Sequence, residues 1–319
     1  MLTSYHNHSR HSDGAETAAR MCAVAAELGF AEFGITDHLV IDPQGRAPRW
    51  SMDPADLGAY LDGIGALKGG TPRVFTGIEL DWVPERLADI AAVVADPRLD
   101  YAIGSVHRIG GQHVDTLADG IALLGPEARA AFFARYWEEV RAMAASGLFQ
   151  VAGHIDLPKK LLGRPGAAKE GGVRSDGASA AAQLRSGRPG AADERAARSD
   201  GASAADQLRS PAADLCDAPG WEAALDAIAA AGMVVEVNTA GWAMSCREGY
   251  PSNRLLSACL NRGIPVTING DAHRPEQIIA HFRDATALLR EVGYREVALL
   301  GEPELRFQPL AAFERALEG

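Results

Sequence analysis

Short apolar runs rich in β-branched residues alternate with Ala- and Leu-rich stretches from the first residues almost to the last. Seven of these runs read as strands: Leu2–His6, Glu32–Thr36, Arg73–Ile78, Tyr101–Val106, Phe149–Gly153, Val234–Asn238 and Pro265–Gly270. Each is apolar along its length, with a polar residue arriving at its C-terminal end. Between them the period changes. Ala18, Met21, Cys22, Ala25 and Leu28 recur at helical spacing with Gly29 as the stop, and Phe132, Phe133, Tyr136, Trp137 and Val140 repeat the pattern later. Alternation of this kind predicts βα units around a parallel sheet, hence an α/β fold. Seven or eight such units in about 255 residues predict a TIM-like barrel, in which reactive groups gather at the C-terminal ends of the strands.

Residues 157–220, Leu157 to Gly220, break the pattern. They contain no Phe, Trp, Tyr, Ile or His, and a 13-residue phrase occurs in them twice, at Arg174–Ser186 and Arg198–Ser210, differing only at Ala182 versus Asp206. Two copies are too few to stack into a solenoid, and this composition buries almost nothing. The expectation is one barrel domain over residues 1–319, interrupted at 157–220 by a low-complexity, repeat-containing and disordered insertion.

Composition narrows the partners. Apolar residues make up 47% of the 319 and charged residues 23%, an ordinary globular balance. With 31 Lys+Arg against 42 Asp+Glu the formal charge is -11, which disfavours long nucleic acids and anionic lipid surfaces. A small anionic substrate remains compatible, because metal ions and arginines can reverse the field inside one cleft. The four cysteines form no CxxC pair, so neither a disulfide framework nor a thiolate zinc site is expected. The N-terminus turns polar at once and no apolar run approaches about 20 residues. The expectation is a cytoplasmic protein without a membrane span.

The histidines carry the chemistry. His6 and His8 stand two apart at the end of the first strand, where i and i+2 side chains share a face and can grip one ion. Asp13 follows at the entry to the first helix. The second strand closes with Thr36-Asp37-His38, the third with Gly77-Ile78-Glu79-Leu80-Asp81, the fourth with Val106-His107 and the fifth with Gly153-His154. The seventh closes with Asp271-Ala272-His273, a second i, i+2 pair. Six of seven strands thus end in a potential ligand. His6, His8, Asp13, His38, Glu79, His107, His154, Asp271 and His273 are too many donors for one ion, so two or three divalent metals are implied, with Zn, Mn or Fe suited to mixed nitrogen and oxygen donors. His11, His113 and His281 lie off the strand ends and read as non-ligands.

The series HxH with a following SDG, then TDH, GIELD, SVH, GH and GDAH resembles the PHP (polymerase and histidinol phosphatase) superfamily, whose fold is a distorted seven-stranded β/α barrel with a trinuclear metal centre. All nine ligand positions match. Asn238–Gly241, Tyr250–Ser252 and Gly270–Glu276 resemble its monofunctional histidinol-phosphatase branch, and the likeness covers roughly residues 1–156 and 221–310. It implies a phosphomonoesterase of histidine biosynthesis that converts L-histidinol phosphate to L-histidinol and phosphate. Nucleotides or short oligonucleotides are the alternative substrates within the superfamily. By the same resemblance, His6, His8, Glu79 and Asp271 would form one metal site, Glu79, His107 and His154 a second bridged through Glu79, and Asp13, His38 and His273 a third.

A phosphate also needs fixed cations. Arg108, Lys159, Lys160, Arg247 and Arg274 stand within a few residues of strand-end ligands, and Arg247 and Arg274 are favoured as the clamp. The expected catalytic set is Glu79, His107, Asp271, Arg247 and Arg274. Asp81, Asp156 and Trp242 are candidates to meet the imidazole and ammonium of the substrate. An amidohydrolase also opens with HxH on a barrel strand, but the fourth strand here ends in His107 and offers no bridging lysine. A non-catalytic metal scaffold is the remaining reading, and it would be expected to have lost ligands.

Overall fold

A computed structural model describes residues 1–110, 112–114, 124–162, 213–301 and 304–318. The first half runs β1 (Leu2–Ser4), α1 (Ala18–Glu27), β2 (Phe30–Ile35), β3 (His38–Leu39), α2 (Leu57–Gly65), β4 (Arg73–Asp81), α3 (Leu87–Val94) and β5 (Tyr101–Ser105). A small antiparallel hairpin of β6 (Arg108–Ile109) and β7 (Gln112–His113) leads to α4 (Pro126–Ala145) and β8 (Val151–Ala152). The chain then runs through α5 (Ala213–Asp217), α6 (Trp221–Ala230), β9 (Val234–Asn238), α7 (Asn253–Asn261), β10 (Val266–Asn269) and α8 (Phe282–Val292). It ends with β11 (Glu296–Leu299), β12 (Arg306–Pro309) and α9 (Leu310–Ala316).

Seven strands pair in parallel in the order β1-β2-β4-β5-β8-β9-β10, the seven expected from the sequence. The two ends of this sheet approach each other to leave a nearly closed barrel. The Tyr5 amide donates to Asn269 Oδ1 at 2.8 Å, and His8 N donates to the Ala272 carbonyl at 2.9 Å. The short strand β3 leaves this path and pairs with the end of β4, setting His38 opposite Glu79.

The helices form the outer layer by the expected logic. Thr17 caps α1 by accepting from the Arg20 amide, and the face carrying Ala18, Met21, Cys22, Val24 and Ala25 is buried. In α4 the buried face is Phe133, Tyr136, Trp137, Val140, Met143 and Ala144.

Two features go beyond the sequence expectation. The antiparallel pair β11–β12 plugs the end of the barrel remote from the ligands. Ala298 and Leu300 pack inside with Tyr5, Phe75, Tyr101, Ile103, Val151 and Val234. Nearby, buried Glu32 accepts from the Tyr5 hydroxyl and from Arg306 Nη2. The margins of the expected insertion are also part of the packed body. Residues Leu157–Leu161 form a 3-10 turn with Leu157 and Lys159 buried, while Leu215, Cys216 and Ala218 sit in the core and the Leu215 carbonyl accepts from Trp137 Nε1 at 2.9 Å. The duplicated phrase lies outside the described residues. Among the described residues no helix is long and apolar enough to cross a membrane.

Candidate metal centre

The nine strand-end donors converge at one mouth of the barrel, on Glu79. This carboxylate, 1% exposed at the end of β4, has five imidazoles around it. His38 Nδ1 lies 2.6 Å from Oε2, and His6 Nε2 lies 3.1 Å from the same oxygen. His154 Nε2 lies 3.1 Å from Oε1, His107 Nε2 3.6 Å from it, and His8 Nε2 3.7 Å from Oε2. Parallel pairing of neighbouring strands produces this convergence, because each strand delivers its last polar residue to the same rim.

Asp271 closes the cluster on the β10 side. Its Oδ1 is 3.0 Å from His8 Nε2 and 3.7 Å from His6 Nε2, and its Oδ2 accepts from Asn238 Nδ2 at 3.0 Å. His273 stacks on His8 at 4.2 Å between ring centroids, with its Nε2 3.3 Å from Asp13. His38 also stacks on His8 at 4.2 Å, and its ring lies 5.8 Å from that of His273.

The donor atoms form three overlapping groups: His6, His8 and Glu79; His38, Glu79 and His107; and His8, Asp13, His38 and His273. Seven of the nine expected positions fall in these groups, and the other two stand beside them, Asp271 against His8 and His154 against Glu79. The sharing differs from the partition implied by the resemblance, since His8 and His38 each belong to two groups.

The donors fit divalent cations. His6 Nε2 is buried facing Glu79 Oε2 at 3.1 Å without a well-formed hydrogen bond, a cost that a cation between the two would remove. Charge balance points the same way. Burial opposes charge on every member, yet the carboxylates of Glu236, Glu79 and Asp271 hold the His6 pKa well above its ordinary value. For Glu79, burial would raise the pKa, but His38 and His6 together with hydrogen bonds from His154 and His38 hold it well below the carboxylate range. Burial and the neighbouring His38 and His273 push His8 down to about 3, whereas the Asp13 and Asp271 carboxylates overcome burial at His273 and raise it to about 9. Protons thus occupy some imidazoles where cations would otherwise sit.

A second layer orients the ligands, and it was missed in the sequence. Glu236, fully buried in the middle of β9, lies 2.8 Å from His6 Nδ1 and accepts from His154 N at 2.7 Å and from Asn269 Nδ2 at 3.0 Å. Its carboxylate can only accept, so Nδ1 carries a proton toward it, and Nε2 is left as the ring nitrogen that would bind a cation beside Glu79. Asp81 does the same for His107, with 2.6 Å to Nδ1. Asp37 accepts from the amides and hydroxyls of Ser9 and Ser12, which shapes the turn that presents Asp13. Ser105 donates to Glu79 Oε1 at 2.6 Å. A carboxylate at the centre of an apolar strand such as Val234-Val235-Glu236-Val237 was the available signal for Glu236.

Over the cluster opens a cavity of about 200 Å³, lined by six of the ligand residues with Trp50, Leu157 and Lys160. Several expected substrate contacts stand elsewhere. Asp81 is engaged by His107 and by Arg108 Nε at 3.2 Å, and Arg108 also binds Asp42 at 3.0 Å. Lys159 is fully buried between Asp156 at 2.9 Å and the Gly249 carbonyl at 2.7 Å, and Asp156 in turn accepts from the Ser252 amide. These four residues therefore brace the loops instead of facing the cavity. Trp242 stacks near His281, with 6.0 Å between centroids. Arg247 and Arg274 are exposed on the rim loops and do not line this cavity. His11 packs on Tyr60, His113 on Trp50, and His281 pairs with Asp284; none joins a donor group.

Comparison with known proteins agrees with this geometry. A Deinococcus radiodurans protein named "Probable histidinol-phosphatase" is 28% identical over 290 residues, covering 90% of this chain and 91% of that one. The structure of histidinol phosphate phosphatase from Lactococcus lactis, complexed with zinc, L-histidinol and phosphate, superposes with a TM-score of 0.66 at 17% identity, covering 93% of this chain and 96% of that one. A Listeria monocytogenes structure assigned as the histidinol phosphatase hisK gives a TM-score of 0.66 at 18% identity, covering 89% of this chain and 99% of that one. The sequence model of the PHP domain matches residues 4–185, more than half of the chain and seven of its nine strand-end donors, and on that match the chain belongs to the PHP domain family.

Proposed function

We propose that this protein is a metal-dependent phosphomonoesterase that hydrolyses L-histidinol phosphate to L-histidinol and phosphate. The observation that carries the reading is Glu79 at the centre of five imidazoles, with the other carboxylates at the edge of the same cluster. Support for the substrate comes from the named relative and from the zinc, L-histidinol and phosphate held by the Lactococcus fold neighbour.

His6, His8, Asp13, His38, Glu79, His107, His154, Asp271 and His273 would hold two to three divalent ions, Zn, Mn or Fe. When bound, such ions supply Lewis acidity, polarising phosphoryl oxygens and making water more acidic. The chain does the rest. Glu236 and Asp81 fix the rings of His6 and His107, so those donors need no reorganisation during turnover. Lys160 brings a cation to the cavity, and Arg247 and Arg274, exposed on the rim loops outside its lining, are proposed as a phosphate clamp on the strength of their place beside the strand-end ligands in sequence. Four buried, unpaired cysteines agree with a cytoplasmic setting.

The test is phosphate release across L-histidinol phosphate, AMP and a short oligonucleotide by the metal-loaded protein, with Glu79→Gln as the control. Histidinol phosphate is expected to be turned over fastest, and Glu79→Gln to lose on the order of 10²- to 10³-fold or more. Faster hydrolysis of the nucleotide substrates, or a Glu79→Gln enzyme keeping more than about a tenth of its activity, would overturn the reading.

A further inference from the structure

The cavity over the donors has a composition that metal and phosphate do not explain. Of its nine lining residues, six are His or Asp from the donor set and one is Lys160. The other two, Trp50 and Leu157, are apolar. A phosphate between cations gains nothing from an indole and an isobutyl group, and neither can ligate an ion.

We propose that Trp50, backed by Leu157, is the specificity-determining wall that receives the planar aromatic ring of the leaving group. The inference rests on the histidinol-phosphate reading above and deepens it. The indole is held where such a ring would need it. Its neighbours are tied to β3: Met52 N donates to the His38 carbonyl at 2.9 Å, and Val40 N donates to Ser51 Oγ at 2.9 Å. The ring itself stands nearly perpendicular to His38, His107 and His113, at 4.9, 5.5 and 5.8 Å between centroids. Among the described residues no ring stacks parallel on it. Leu157 is presented from a different element, the 3-10 turn after β8, whose next residues are anchored by buried Lys159 against Asp156 and the Gly249 carbonyl. Two apolar side chains on separately braced supports, beside the donors that would face the phosphate, make a preorganised wall for the π-face of a flat aromatic ring. An aliphatic phosphomonoester would leave that wall uncovered.

The test compares L-histidinol phosphate with O-phosphoethanolamine, which keeps the phosphate and ammonium and lacks the ring, in wild type, Trp50→Leu and Trp50→Phe. Metal content and inhibition by inorganic phosphate are measured alongside. The expected result is a loss of about 10- to 100-fold in kcat/KM for histidinol phosphate in Trp50→Leu, carried mainly by KM and largely recovered in Trp50→Phe. O-phosphoethanolamine turnover, metal content and the phosphate inhibition constant should move by less than about threefold. Affinity for L-histidinol, read by equilibrium dialysis, should fall in parallel with kcat/KM. Equal losses on both substrates, or lost metal, would show that Trp50 merely packs the rings of His38 and His107, and would overturn the proposal. An unchanged preference would overturn it too. A wild-type enzyme inert toward histidinol phosphate yet active on other monoesters would remove the substrate reading and this inference together, whereas an active wild type with uniform losses removes the inference alone.

Discussion

At the scale of single residues, the centre is a balance of buried charges in which second-layer groups decide which nitrogen faces inward. Glu236→Gln is expected to keep the barrel folded while weakening metal affinity by about 10- to 100-fold, the usual effect of removing a carboxylate behind a ligating imidazole. The new amide brings a donor toward the Asn269 and His154 N–H groups that now have an acceptor. Competition with a chromophoric chelator measures it; unchanged affinity would show that Glu236 is structural only. A pH effect follows from the metal-free protein. The His273 pKa is raised from about 6.5 to about 9, and that of His6 is raised as well. A group raised in the folded state contributes stability that is complete below its unfolded value and disappears as pH rises through its folded value. Chelator-treated protein is therefore expected to lose melting temperature between about pH 6.5 and 9. The metal-loaded protein should not, since neutral imidazole is the form that ligates. Thermal melts at several pH values, with and without chelator, check this, and parallel curves would contradict it.

At the scale of elements, the strands were legible because each is buried on both sides and ends where solvent begins. An apolar run closed by His, Asp or Glu is readable without coordinates, and the ends of β1, β4 and β5 are cases of it. What escaped notice depends on three-dimensional proximity. Glu236 lies inside a run instead of at its end, and Trp50 lies in a loop that nothing local connects to His107. Nothing in the sequence around β11 marks that Ala298, with Leu300 just beyond the strand, sits among Tyr5, Phe75 and Tyr101. Rim cations are hard to sort for the same reason: closeness in sequence to a ligand does not say that Arg108 and Lys159 already have carboxylate partners. Inside the barrel, space is set by glycine. A Cβ on Gly77 of β4 would lie 2.6 Å from Tyr101 Cζ, on the ring whose hydroxyl donates to the Tyr5 carbonyl. Gly77→Ala is thus expected to cost about 1–3 kcal/mol by overpacking. Its readout is the midpoint of urea unfolding, and a neutral result would mean the ring can retreat.

At the scale of the whole molecule, the open question is what the 163–212 segment contributes. The single-barrel organisation predicts that the body is complete without it, and the packing of the two flanks gives the reason. On one side Leu157 and Lys159 are held in the body through Asp156 and the Gly249 carbonyl; on the other, Leu215 and Cys216 are buried against α4, with Trp137 Nε1 donating to the Leu215 carbonyl. Each flank is fixed by contacts of its own, so neither needs the intervening chain to hold it. That chain carries no Phe, Trp, Tyr, Ile or His, so it has little apolar area with which to stabilise anything. Closing a long loop is also costly only in proportion to the logarithm of its length, so shortening one changes stability by about 1 kcal/mol or less. Replacing residues 164–212 by a short Gly/Ser linker is therefore expected to yield soluble protein with unchanged metal content, a melting midpoint within a few degrees of the full chain, and turnover of histidinol phosphate within about threefold. Three readouts separate the possible failures. A midpoint lower by more than about 10 °C would show that the segment packs on the barrel. Normal melting with lost metal would place a further donor in it. Normal melting and metal with a raised KM would mean that it reaches the cavity at the rim, where Lys160 stands only a few residues before the segment begins.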